Sequence, residues 1–277
     1  MLKSSKILFA SGCSYTQKGW VITDINRMEG YETGPHPMWP EILGKKMKLK
    51  VVNHGRGGYG NDYIMQDSIK FILDNYKNIE LVCIQWSQLT RMWIYDMNYF
   101  NPSVWLNEEN RKYAPAEWDD DDFNGFPQIF GDRFVASRKL MKFVIRDPYT
   151  VVDLFKKYLR EIYTLQKLCE ELNVKYIMGQ GLTAHQLDQW KFVNPDLDWK
   201  EVINCLIGQP EFHLINEKTF MGWPVLPELG GMTMTNGHPD FEGYPERRVN
   251  PKDGHPSAYG QELLAEQFHS KYVELYG

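Results

Sequence analysis

The sequence predicts an α/β fold, a three-layer α/β/α sandwich on a parallel sheet of about five strands, and three observations lead there. Four short apolar runs, Ile7–Ser11, Lys50–Asn53, Leu81–Trp86 and Val174–Met178, read as strands buried on both faces. Segments with helical periodicity separate and follow them. Alternating β and α units of this size give a parallel sheet covered by helices on both sides. At 277 residues the chain can bury a sizeable core, and residues 1–277 read as a single domain.

Taken in order, Ile7–Ser11 opens the pattern and breaks at Gly12-Cys13-Ser14-Tyr15-Thr16. Trp39–Met47 is a short amphipathic segment opened by Pro37 and Pro40. Lys50–Asn53 runs into the glycine-rich stretch His54-Gly55-Arg56-Gly57-Gly58-Tyr59-Gly60-Asn61. Tyr59–Tyr76 then places Ile64, Ser68, Phe71, Ile72 and Tyr76 on one helical face. Val151–Leu172 is the clearest helix, with Leu154, Phe155, Tyr158, Ile162, Leu165 and Cys169 at steps of three and four, and Asp147-Pro148 is its natural start. Glu262–Tyr276 closes the chain with Leu264, Phe268, Tyr272 and Leu275 in register.

Two stretches break the alternation. Residues 92–146 form an insertion after the third strand, with Trp93, Tyr95, Trp105, Trp118 and Phe126 among many polar side chains. Residues 222–252 are rich in Gly and Pro and lead directly to His255. Ligands of open α/β sheets bind outside the carboxyl ends of the strands, where both connections should emerge. The expectation is that they wall a cleft; decoration, or packing against another subunit, is the alternative.

Composition narrows the function classes. A net charge of −5 and a pI near 5.8 give no electrostatic footprint for nucleic acid or an anionic membrane, and neither is expected as a partner. Aromatic content of 14% is on the high side, which large core residues explain most simply and platforms for a sugar or other flat ligand explain functionally. Cys13, Cys83, Cys169 and Cys205 form no CxxC pair, and Cys83 and Cys169 sit inside apolar patterns as buried thiols. The apolar segment before Cys13 is only Ile7 to Ala10, too short for a signal sequence, and no run spans a bilayer. A cytoplasmic location is the expectation.

Ser14 is the first candidate for chemistry. It follows a strand in a Gly-initiated turn, where a hydroxyl can meet a base and its own N–H can face a developing oxyanion. A Gly-x-Ser alone is usually only a turn. The glycine-rich loop is the second: its glycines permit positive φ, and it reads either as a structural turn or as an anion-binding loop. It lacks the Gly-Lys-Ser/Thr ending of a phosphate loop. Among seven His, His255 is the best base, because Asp253 precedes it closely and Pro256 should start a helix. His54 reads as a hydrogen-bonded turn residue that could touch a ligand, and His238-Pro239 is a local decoy. No HExxH or alternating acidic loop is present, so neither a metal nor a cofactor is expected.

Read together, four blocks resemble the SGNH hydrolases, the GDSL esterase and lipase superfamily. Gly12-Cys13-Ser14-Tyr15-Thr16 is similar to the first, with Cys13 in place of the usual Asp, and implies Ser14 as nucleophile and oxyanion donor. Asn53-His54-Gly55-Arg56-Gly57-Gly58 is similar to the second and implies the Gly58 N–H as a further donor. The third block falls on Ile84–Arg91 without its Asn, leaving Ser87, Gln88 or Arg91 as candidates for the missing donor. Asp253-Gly254-His255-Pro256 is similar to the fourth but one residue shorter, with Lys252 at the expected acid position. The resemblance implies an SGNH-style sandwich and a serine esterase removing a small acyl group, such as acetyl, from a carbohydrate or similar small molecule. A non-catalytic carbohydrate-binding or assembly module, and an acyltransferase using the same residues, are the rival expectations.

Overall fold

The computed structural model describes residues 6–19, 35–89, 148–182, 199–235, 238, 241, 243–250 and 253–277. Among these, five strands form one parallel sheet: β1 (Ile7–Gly12), β2 (Lys50–Asn53), β3 (Ile79–Trp86), β4 (Tyr176–Gln180) and β5 (Phe220–Met221), in the order β2-β1-β3-β4-β5. The helices are α1 (Trp39–Met47), α2 (Asn61–Asn75), α3 (Pro148–Glu171), α4 (Trp199–Ile207), α5 (Pro210–Leu214) and α6 (Ala258–Tyr276). A small antiparallel hairpin, β6 (Arg248–Asn250) and β7 (Asp253–Pro256), precedes α6.

Strand alternation sorts the core into two layers. Phe9, Val82, Ile84, Tyr176 and Met178 face one side with Phe155, Tyr158 and Leu165 of α3 and Ile64 and Ile72 of α2. Leu8, Ala10, Leu81, Cys83 and Ile177 face the other with Trp39 and Leu43 of α1 and Leu264 and Phe268 of α6. The expected three-layer sandwich is therefore present. Four predicted strands and four predicted helices stand with boundaries shifted by a few residues; β5, α4, α5 and the hairpin went unread. Cys83 and Cys169 are buried as expected, and burial pushes both thiols up, Cys169 to about 12. Among the described residues no helix is long and apolar enough to cross a membrane.

One ion pair in this frame costs the fold. Glu161 of α3 is 5% exposed, and its carboxylate meets Lys157 Nζ at 2.7 Å, with Asp62 of α2 3.5 Å from the same amine. Burial outweighs the Lys157 charge and pushes the Glu161 carboxyl up to about 7. The folded chain thus holds this proton to higher pH than the unfolded chain does. The stability it brings is complete below the ordinary carboxylate range, is lost as pH climbs toward 7, and changes little above. Glu161→Gln should raise unfolding free energy by about 1–2 kcal/mol at pH 8 and hardly at pH 4.5, measured by urea titration at both.

Candidate active site

In a doubly wound sheet of this strand order the crevice opens at the carboxyl ends of the strands where the order reverses, here β1 and β3. Ser14 lies two residues past β1, in a turn closed by Thr16 N and Gln17 N donating to Cys13 O at 3.0 and 3.1 Å. The turn can fold back on the strand because position 12 is glycine: a Cβ there would stand 2.3 Å from Thr16 Oγ1 and 2.9 Å from Gln85 O. Thr16 Oγ1 donates to Gln85 Oε1 at 2.8 Å, and Trp39 Nε1 donates into the same pair at 3.2 and 3.3 Å. All three side chains are fully buried, so the nucleophile turn is anchored to β3 and α1 from below.

The glycine-rich loop extends the pairing of β2 along β1. His54 N donates to Ala10 O at 2.8 Å and Arg56 N to Gly12 O at 3.0 Å, while Asn53 Nδ2 reaches Thr16 O at 2.7 Å. This brings Gly57 beside the nucleophile: a Cβ on it would lie 3.7 Å from Ser14 Cβ. Gln17 Oε1 accepts from Gly57 N at 2.6 Å, tying the two loops together. Gly58 sits at φ +82°, a conformation that glycine adopts without strain. Neither Gly58 N–H nor Ser14 N–H donates to another described residue.

The base arrives from the far end of the chain. Arg248 pairs with Pro256 and Asn250 with Asp253, so the hairpin carries His255 on a strand. Ser257 then caps α6, accepting from Gly260 N at 3.2 Å, while its own N donates to Arg247 O at 3.0 Å. Held from both sides, His255 Nε2 lies 2.7 Å from Ser14 Oγ. Tyr15, 3% exposed, packs against the imidazole with ring centroids 4.9 Å apart. Pro256 ends β7 rather than starting the helix, because Ser257 supplies the cap a proline cannot.

The other candidates divide. Ser14, the Gly58 loop and His255 meet at one place. His54 does not join them as a base: its Nδ1 lies 2.7 Å from Asp67 Oδ2 and its ring edges onto Phe9 and Phe71, which makes it a hydrogen-bonded turn histidine. Ser87 is buried with its N donating to Asn61 Oδ1 at 2.7 Å and its O accepting from Asn61 Nδ2 and Gln180 Nε2; its hydroxyl makes no hydrogen bond among the described residues. Gln88 is 6% exposed. Arg91, the side chain of Asp253 and the insertion 92–146 lie outside the described residues. Thr16, Gln17, Trp39, Gln85, Asn61 and Gln180 also build the site, and none of them carries a sequence signal for that role as clear as those of Ser14 and His255. One signal was available for Gln85 and Gln180, each a polar residue next to an apolar strand run in a buried sheet.

The molecule is thus a doubly wound α/β protein with a serine–histidine contact at the carboxyl ends of its central strands. No family model and no curated protein matches the chain. Among solved structures it is similar to a putative lipolytic protein of the G-D-S-L family from Desulfitobacterium hafniense, at 12% identity and a TM-score of 0.43 over 96% of this chain and 99% of that one. It is similar at 12% identity and TM-score 0.41 to a carbohydrate acetylesterase from Sinorhizobium meliloti, over 98% and 100% of the two chains. An acetylxylan esterase from Geobacillus stearothermophilus gives 13% and 0.40 over 97% and 94%. Likeness of this degree leaves the functional reading to rest on the site's own geometry.

Proposed function

We propose that the chain is a serine ester hydrolase working through an acyl-Ser14 intermediate on a small-molecule or carbohydrate ester. The observation that carries this reading is the 2.7 Å contact between His255 Nε2 and Ser14 Oγ at the strand ends. A neutral imidazole accepting there takes the hydroxyl proton as Ser14 Oγ attacks the ester carbonyl. The proton passes to the departing alcohol, and water, deprotonated by the same imidazole, then releases the acid and frees Ser14. The Ser14 and Gly58 N–H groups, which donate to no other described residue, are the donors assigned to the tetrahedral oxyanion. A small acyl group fits a nucleophile that is only 7% exposed. An acceptor sugar in place of water would turn the same residues to acyl transfer, which product analysis separates.

The non-catalytic reading has one observation in its favour. The third-block position lacks its Asn, and the Ser87 N–H, which could stand in for it, is spent on Asn61 Oδ1. A fluorophosphonate probe decides between them. The native chain should become labelled on Ser14 and Ser14→Ala should not; a native chain that never labels and leaves p-nitrophenyl acetate intact is a binding module.

A further inference from the structure

Arg56 occupies the glycine-rich loop one residue before the glycine that abuts Ser14. Its backbone is fixed against the end of β1 by the 3.0 Å bond to Gly12 O. Its guanidinium carbon stands 5.1 Å from the centroid of the Tyr59 ring, and Tyr59 leans on Tyr63 with centroids 3.8 Å apart. The residue is exposed, and among the described residues its guanidinium has no carboxylate partner. The acids of the first two turns of α2 are engaged elsewhere: Asp67 with His54 at 2.7 Å and Asp62 facing Lys157 at 3.5 Å.

A second cation stands on the loop that Gln17 ties to this one. Lys18 follows Gln17, whose side chain holds Gly57 N, and it too is exposed and without an ion pair among the described residues. The arginine beside the base is arranged differently. Arg247 is largely buried, with its guanidinium carbon 3.7 Å from the Tyr244 ring centroid and 5.7 Å from that of Tyr259, and Glu246 Oε1 4.0 Å from its Nε.

A guanidinium resting on an aromatic face keeps its N–H edge outward while giving up rotamer freedom in advance. That is the state in which it binds a planar oxyanion with least further ordering. Resting on the ester-hydrolase reading of Ser14, we propose that the substrate is an anionic ester, and that Arg56, aided by Lys18 of the adjoining loop, binds its carboxylate or phosphate while the ester carbonyl sits at Ser14. Net charge gives no long-range attraction for such a substrate, so the recognition is local.

Three acetylated methyl glycosides matched in ring and acetyl position test this: those of glucuronic acid, glucose 6-phosphate and glucose. The native chain should favour at least one acid over the neutral sugar by about ten- to hundred-fold in kcat/KM, the better acid naming the group that is read. In Arg56→Gln the ratio should collapse toward one, and Arg56→Lys should keep part of it. Equal rates on all three in the native chain, or an undiminished ratio in Arg56→Gln, overturns the proposal. If no ester is hydrolysed, the hydrolase reading falls separately and binding decides this one. The Ser14→Ala chain, titrated by calorimetry with the deacetylated glycosides, should bind an acid at least tenfold more tightly than the glucoside. Adding Arg56→Gln should remove that margin; no margin, or one that survives, refutes an anion site.

Discussion

His255→Ala is expected to lower kcat on p-nitrophenyl acetate by roughly 10³–10⁴-fold, with KM changed far less, because the imidazole acts on the moving proton and not on the bound ester. A serine hydroxyl without a base is almost entirely protonated at neutral pH, so the whole nucleophilic step depends on the group 2.7 Å from its oxygen. The residual rate measures what the backbone donors contribute by themselves. Tyr15, tilted beside the imidazole, and the hairpin that carries it also support His255, and neither accepts a proton from Ser14. Asp253→Asn should cost far less than His255→Ala, because the Ser14–His255 contact is made without it; where an acid fixes the imidazole of a triad the same change costs about 10⁴-fold. Equal losses in the two variants would assign Asp253 a full share in the step.

Trp39→Ala is expected to be the most damaging change to the fold, at about 3–5 kcal/mol. The side chain is fully buried, stacked on Phe268 of α6 with centroids 4.2 Å apart and planes 16° from parallel. Removing it opens a cavity between α1 and α6 and withdraws the indole N–H from Thr16 and Gln85, two fully buried polar groups. For a chain of 277 residues this corresponds to a fall in Tm of roughly 10 °C, read by circular dichroism. Trp39→Phe separates the two causes. It retains a ring on Phe268 and loses the donor with the pyrrole half of the indole, so it should cost less, about 1–2 kcal/mol, and still slacken the Ser14 turn, seen as a drop in kcat. An alanine variant as stable as the native chain would mean that the α1–α6 contact bears little of the fold.

Strand and helix identities were legible because burial on both faces leaves continuous apolar runs in β1, β3 and β4, and amphipathic helices leave a 3.6 period. β5 was not, since two residues, Phe220 and Met221, cannot show a period. The hairpin that carries His255 was unreadable for a related reason: Asp253-Gly254-His255-Pro256 contains Gly and Pro, which argue against a strand, and its three-residue partner β6 supplies the pairing from outside. At the site, Ser14 and His255 could be picked by chemistry, whereas their supports could not. Thr16, Gln85 and Trp39 come from three separate segments, and only the folded chain shows that a tryptophan chosen for its bulk also supplies a donor. The same holds for Gln17, an ordinary polar loop residue until its carbonyl is seen on Gly57 N.

The hydroxyl and the imidazole are 241 positions apart, one just beyond a central strand and the other on the threshold of the last helix. No local folding event can join them. The reactive contact exists only in molecules whose first strand has taken its central place and whose closing helix has docked across α1. Catalytic competence is therefore a property of the finished tertiary structure, and a partly assembled chain carries both reagents as two inert side chains.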